Sequence, residues 1–470
     1  MRTSGRPSER VRASASEPVG GDRRVRARAG VAALADFAAG LTWERVPATV
    51  RDQVLLALVD LLGVGVAGAL TAEHQRLIAA VAPAAGPSSV LGASAGADPR
   101  DAAWLNGVAA CSLELDEGNK HSRGHPAVHA FPAVLAMAEA TAAPGAEVCA
   151  ALLAGYEVGA RMGAASRLGA SVHPHGTWGA VGAAAGLARL RRLDAATTAA
   201  AIDAAAGLAF ATTFSSALDG NLVRNAWVGG ANEAGIRAVQ LAIAGHARND
   251  GTAAATLGGV LGELEPDRLG DGLGDTWMIT RGYFKRHASC AYTHPPADAA
   301  LELRRVTGPL APDDIAGVTV ETHAVAAPLN RTFDGAPPSR LAAMFSIPWI
   351  TAVALTVGVV GPEHLDDTAL QDTAVSRLAR RVTVVRAPDL DAALPEHRGA
   401  RLVVELTDGR RLTAEVPDPV GDADHAPFGP AEVHSKLTRL LGMGTAGQIV
   451  DIGAALDRTD DVAGLLARLP

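Results

Sequence analysis

The sequence predicts a mainly α protein, with a large all-helical domain and an inserted, smaller α+β lid domain. Three observations predict it. Apolar residues recur at three- and four-residue steps through residues 31–280, the repeat of helices that bury one face. Between 281 and 427 that repeat gives way to short alternating runs, the period of half-buried strands. After 427 the helical repeat returns, so residues 428–470 are expected to rejoin the first domain. The 470-residue length allows two or more domains at ~100–200 residues each. With 48% hydrophobic but only 4% aromatic residues, the interior must be built from Ala, Leu, Val and Gly, which suits closely packed helices.

Taken in order, the elements justify this class. Residues 1–30 carry eight arginines among the first 28 and no apolar run, which predicts a disordered Arg-rich tail rather than a secretory signal. VAALADFAAGL and PATVRDQVLLALVDLLGVGVAG follow as helices. The apolar run 53–70 is interrupted by Asp60 and falls short of the ~20 apolar residues a membrane span needs, so it is read as a buried helix. DAAWLNGVAACSLEL, FPAVLAMAEATA, GAEVCAALLAGYEVGARMGAA, WGAVGAAAGLARLRRL and AATTAAAIDAAAGLAFA continue the pattern. Glycine inside a helix costs ~1 kcal/mol relative to alanine, so its repeated use predicts close helix crossings. Past Lys285, GVTVETHAVA and RVTVV alternate like strands, and RLVVELTDGRRLTAEV reads as a hairpin turning at Asp408-Gly409. LAAMFSIPWITAVALTVGVV and DDTALQDTAVSRLARR are helices between them, and PAEVHSKLTRLLG with DVAGLLARL closes the chain. A cleft between the two domains is expected.

Several function classes are disfavoured. A net charge of -8 argues against nucleic-acid binding, which needs a basic contact face. Cys111, Cys149 and Cys290 form no CxxC spacing and cannot make a closed disulfide set, which fits a reducing cytoplasm. There is no GxSxG elbow, no P-loop, and no glycine-rich dinucleotide fingerprint after a strand.

Polar residues that resist a simple surface reading concentrate in four stretches: DEGNKHSRGHPAVH, SVHPHGTWGA, GNLVRNAWVGGANEAG and YFKRHASCAYTHPPADAA. Seven of the fourteen histidines fall in three of them. His121, His125 and His129 recur every four residues, a spacing that could present imidazoles to a metal from one helix face. Gly124 and Pro126 break that helix, and no metal site is expected. Acid/base chemistry on a small anionic substrate remains: imidazoles move protons near neutral pH, while Arg and Lys hold carboxylates.

The runs LNGVAACSLELDEG, GHPAVHAFPAVLAMAEA, VHPHGTWGAVGAAAGLARLRRLD, VGGANEAGIRAVQLAIAG, FKRHASCAYTHPPADAALEL and FSIPWITAVALTVG, in this order, resemble the MmgE/PrpD family. That family includes 2-methylcitrate dehydratase, cis-aconitate decarboxylase and iminodisuccinate epimerase. The resemblance, which runs over 31–465, implies a homodimer with its site in the cleft and no required metal or organic cofactor. It places Asp116 and Glu117 on the family's acidic pair, His125 and His173 on its two His-Pro histidines, and Lys285 on the lid-proximal lysine. His294 and Asp298 match the pattern that follows. Three positions depart from it. Arg224 stands where many members have a catalytic lysine, and it can anchor a carboxylate but not give up a proton. Cys290 stands where the decarboxylases have a histidine and other members often a cysteine, and Pro328 stands where the decarboxylases have a tyrosine.

The resulting expectation is a cofactor-independent lyase, a dehydratase of a small or chain-linked hydroxy di- or tricarboxylate. His125, His173, Asp116, Glu117 and Lys285 are the expected catalytic residues. Arg224, Arg286, His121, His129, His175, Cys290 and His294 are expected to bind substrate. Decarboxylation, epimerisation and a non-catalytic binding role stay open, as does which histidine is base and which acid.

Overall fold

A computed structural model describes residues 21–470. It is 57% helix and 10% strand, so the mainly α class stands. The helices of the first half are α1 (Gly21–Gly40), α2 (Ala48–Ala69), α3 (Ala72–Val81), α4 (Pro99–Cys111), α5 (Pro126–Thr141) and α6 (Gly145–Ala165). They continue with α7 (Gly179–Leu190), α8 (Ala195–Gly207), α9 (Phe214–Leu218), α10 (Val223–Ile243) and α11 (Thr252–Ala255). Short strands β1 (Ala85–Ser88), β2 (Gly118–Asn119), β3 (Ser166–Leu168), β4 (Gly262–Leu264) and β5 (Gly282–Tyr283) punctuate them. The expected tail is corrected in part: α1 starts at Gly21 and buries Ala27 and Val31, because its small residues pack on the helices behind it. Residues 1–20 of that tail lie outside the described residues.

Small residues set the helix spacing, as the glycine content predicts. A Cβ on Gly159 of α6 would come within 3.1 Å of the Gly182 backbone on α7, and one on Gly155 within 3.0 Å of the Gly182 carbonyl. Helix α5 holds a proline, Pro132, that cannot donate to the Val128 carbonyl one turn back. Asn232 of α10 repairs this by donating to Val128 O at 3.0 Å and accepting from Ala133 N at 3.0 Å. An internal helix defect thereby becomes a cross-link between α5 and α10.

The later chain forms α12 (His294–Thr307), β6 (Ile315–Thr322), α13 (Arg340–Met344), α14 (Ile347–Thr356), α15 (Thr373–Ala379), β7 (Val382–Arg386), α16 (Pro388–Ala392), β8 (Ala400–Leu406) and β9 (Arg411–Val416). Its sheet has the order β7-β6-β8-β9, parallel between β6 and β7 and antiparallel elsewhere. The β8–β9 hairpin turns where expected, with Gly409 at φ 88. Helices α12 and α14 cover the sheet. The long apolar stretch read as one helix splits into α13 and α14, because the Ser346 side chain caps a new helix at Trp349 N and Pro348 occupies its first turn. The chain then returns: α17 (Pro430–Leu441) and α18 (Met443–Ala455) pack on α2, and α19 (Val462–Leu466) follows. Helix α2 is long and apolar enough to cross a membrane, but most of it is buried here, and Asp60 within it pairs with Lys436 of α17 at 2.6 Å.

Candidate active site

One pairing brings distant sequence together. β2 and β5 run antiparallel with Gly118 opposite Tyr283. Continuing that register two residues outward sets Asp116 opposite Lys285, and Lys285 Nζ lies 3.4 Å from Asp116 Oδ1. The same ammonium lies 3.1 Å from Glu114 Oε2, and Glu114 Oε1 pairs with the Arg224 guanidinium. All four side chains are buried, so two carboxylates neutralise two cations away from water. Burial opposes the charge on Lys285, but Asp116 and Glu114 outweigh it and raise its pKa. Lys285 is thus held as a cation between two carboxylates. Arg224 is not wholly consumed: its Nε is buried without a partner.

The acidic pair divides into two different groups. Burial alone would raise Asp116, yet His125, Lys285 and Arg224 bring it down to about 2. Burial pushes Glu117 up to about 8, against hydrogen bonds from Tyr156 and Ala127 N. At neutral pH Asp116 is ionised and Glu117 protonated. Glu117 accepts from the Tyr156 hydroxyl at 2.5 Å and from Ala127 N at 3.3 Å.

The histidines sort by what each ring nitrogen meets. Pro126 does not break α5 but begins it, at the first helical position, where its missing N–H costs nothing. His125 is therefore the N-cap, His129 sits one turn inside, and His121 lies in the preceding turn. His125 Nδ1 is 2.7 Å from the Glu117 carbonyl, which assigns the ring proton there, and 3.2 Å from Asp116 Oδ2. Its Nε2 is left unprotonated. Burial lowers the pKa of His125, with Asp116 pulling the other way. His173 has the opposite tautomer, because its Nδ1 accepts from His175 N at 3.1 Å and leaves Nε2 to carry the proton. His173 is walled by Phe214, Trp227 and Phe345, with ring centroids at 5.2, 5.8 and 6.4 Å.

His175 stands between the others, its ring 5.2 Å from His125, 5.1 Å from His129 and 4.6 Å from His173. Its Nε2 is 3.4 Å from Arg224 Nη2, so the ring proton belongs on Nδ1, which is buried without an acceptor. Burial, then Arg224, holds His173 and His175 well below the usual imidazole value. His129 is occupied at both nitrogens, by the His125 carbonyl at 2.7 Å and by Gly176 N at 3.4 Å. Both ring nitrogens of His129 are thus taken up inside the protein, and burial lowers its pKa to about 4.

The other residues expected to bind substrate have partners of their own. Arg286 pairs with Asp298 at 3.1 Å, and the same Asp298 oxygen meets His287 at 2.9 Å. His294 Nε2 lies 3.2 Å from the Ser289 carbonyl, and its ring packs on His287 at 5.0 Å. His121 is half-buried, with Arg281 and Lys120 lowering its pKa after burial. Cys290 is buried at the start of the 3-10 turn Ala291–Thr293 that leads into α12, where burial and then Glu114 push its thiol up to about 12. The sequence reading does not single out Glu114 or Tyr156. Glu114 was visible only as an acid between Leu113 and Leu115, while Tyr156 lies inside a helical run with nothing to mark it.

The MmgE/PrpD N-terminal domain model matches residues 32–260, and the C-terminal domain model matches 287–456. A cis-aconitate decarboxylase of Aspergillus terreus is 26% identical over 484 aligned residues, covering 94% of this chain and 96% of that protein. A cis-aconitate decarboxylase-like protein, oryM, of Aspergillus oryzae is 25% identical over 472 residues, covering 93% and 96%. Matched from its first long helices through the returning C-terminal ones, this chain belongs to the MmgE/PrpD family, whose function is of the lyase type.

Proposed function

We propose that the protein removes water from a small or chain-linked hydroxy di- or tricarboxylate. The carrying observation is the opposite proton state of two imidazoles: His125 offers a bare Nε2, and His173 offers an Nε2–H. His125 takes the proton from the carbon next to a carboxylate, and Asp116 steadies the imidazolium that results. The electron pair left on carbon expels the hydroxyl as the C–O bond breaks. His173 Nε2–H hydrogen-bonds the departing oxygen as a neutral donor, and the His125 imidazolium returns its proton to it. Water leaves, an alkene remains, and no redox step is needed.

Two buried donors without acceptors support an anionic substrate, Arg224 Nε and His175 Nδ1. An unpaired buried donor costs ~1–3 kcal/mol, a cost that a bound carboxylate removes. The cluster is closed, with His125 its most exposed histidine at 8%. Phe345 lies over Arg224, whose guanidinium carbon is 5.3 Å from that ring, and forms part of the cover.

Decarboxylation is the second reading, favoured by the cis-aconitate decarboxylases that match this chain nearly end to end. That reaction needs a proton donor for the carbanion, and burial, then Arg224, hold His173 and His175 well below the usual imidazole value, so neither supplies an imidazolium. NMR of the purified protein in D2O with a panel of hydroxy-polycarboxylates and cis-aconitate tests the choice. Formation of an alkene with loss of water supports dehydration. CO2 release from cis-aconitate, deuterium uptake without loss of water, or a ligand-induced rise in Tm with no turnover each overturns it.

A further inference from the structure

On the outer face of the later chain, His397, Asp418 and His425 bring one ligand atom each within 4.8 Å of one another. Their positions come from two separate segments: the stretch between α16 and β8, and the loop between β9 and α17. No sequence spacing could have announced them. His397 Nδ1 lies 2.7 Å from Asp418 Oδ2, and His425 Nε2 lies 3.7 Å from the same oxygen. The two rings stack at 4.5 Å with an interplanar angle of 24°.

We propose that these three side chains form a surface site for a divalent transition-metal ion, Zn2+ by ligand type, that joins the 396–398 turn to the 418–425 loop. Two imidazoles and one carboxylate are a zinc-type donor set, with water completing the tetrahedron. A tetrahedral ion with bonds of ~2.0–2.1 Å sets its donor atoms ~3.3 Å apart, and the observed 2.7 and 3.7 Å bracket that separation. Imidazole donors select against Mg2+ and Ca2+, which prefer oxygen. The carboxylate is already oriented: Asp418 is buried, and its Oδ1 accepts from Arg398 N at 3.2 Å, which leaves Oδ2 turned to both rings. Such outer contacts hold metal ligands in place.

The site would brace a specific structure beneath it. Arg398, next to His397, pairs with Asp422 at 3.0 Å, and Asp422 pairs with Lys120 at 3.2 Å. Lys120 also donates to the Glu396 carbonyl at 3.0 Å and meets Asp424 at 2.7 Å. Both segments that supply ligands are thus tied to the stretch that continues into His125.

The test uses the full chain without a histidine tag, titrated with Zn2+ by calorimetry and with Co2+ by visible absorption. The expected result is one equivalent per chain, the intense visible bands of low-coordinate Co2+, and a raised Tm with Zn2+. His425→Ala should weaken binding by more than ~10-fold, and the His397→Ala/His425→Ala double variant should abolish it. Both exposed histidines can be removed without opening the core, and far-UV circular dichroism checks that the fold persists. Absence of stoichiometric uptake by the wild type, or undiminished uptake by the folded double variant, overturns the proposal.

Discussion

His125 and His173 are alike in type and in their proline neighbour, yet their ring protons sit on different nitrogens. The difference comes from the backbone group each Nδ1 meets, a carbonyl for His125 and an N–H for His173. His125→Ala and His173→Ala should each lower kcat by ~10²–10⁴ while far-UV circular dichroism stays unchanged; a variant with full turnover would remove its residue from the mechanism. The pH dependence has a definite sign. His125 acts when neutral, and burial sets its pKa below the usual ~6.5. The acid limb of kcat/KM should therefore lie below pH ~6.5, with rates flat through neutrality. A limb centred at or above ~7 would assign the base to another group.

Between elements, buried charge does more than mark the site. Lys436 of α17 reaches Asp60 of α2 at 2.6 Å and the Leu115 carbonyl at 2.7 Å, with both charges sealed from solvent. This joins the returning C-terminal helices to the first half of the chain, just beside Asp116. Removing one partner strands the other charge, so Lys436→Met should cost ~3–5 kcal/mol in urea unfolding. Replacing both, as Asp60→Leu/Lys436→Met, should recover most of that loss. If the double variant is as unstable as the single one, the pair is not the source of the effect. Asp60 was legible as a break in an apolar run, and Lys436 as a cation on the stripe of Val433, Leu437 and Leu440. Their partnership was not, because 376 residues separate them.

For the whole molecule, the buried histidines decide the acid response. Burial lowers His74, His125, His129, His173, His175, His294 and His323. Below pH ~6.5 the unfolded chain binds protons that the folded one refuses, so stability falls as pH drops through that window. Raised carboxyls oppose this: Glu117, Glu139, Glu157 and Asp60 favour the folded state when protonated, and their contribution fades as pH rises. The histidines outnumber them, so Tm should fall steadily from pH 7 to pH 4. A flat or rising Tm over that range would show that these imidazoles take up protons without unfolding.

The amino-acid pattern by itself determined the mainly α class, the alternation that makes β6 to β9, and the hairpin turn at Gly409, because periodicity and turn chemistry are local properties. It also placed His125, His173, His175 and Arg224 in polar stretches within an apolar chain, since breaks in composition survive in one dimension. Only the tertiary structure decided which of them meet. The Gly118–Tyr283 pairing carries Lys285 to Asp116, and Glu114 then sits between Lys285 and Arg224. It also decided the proton states: Asp116 and Glu117 are adjacent and nearly identical in chemistry, yet one is lowered to about 2 by neighbouring cations and the other raised to about 8 by burial. Charge and solvation depend on distances through space, and those distances exist only once the chain has folded.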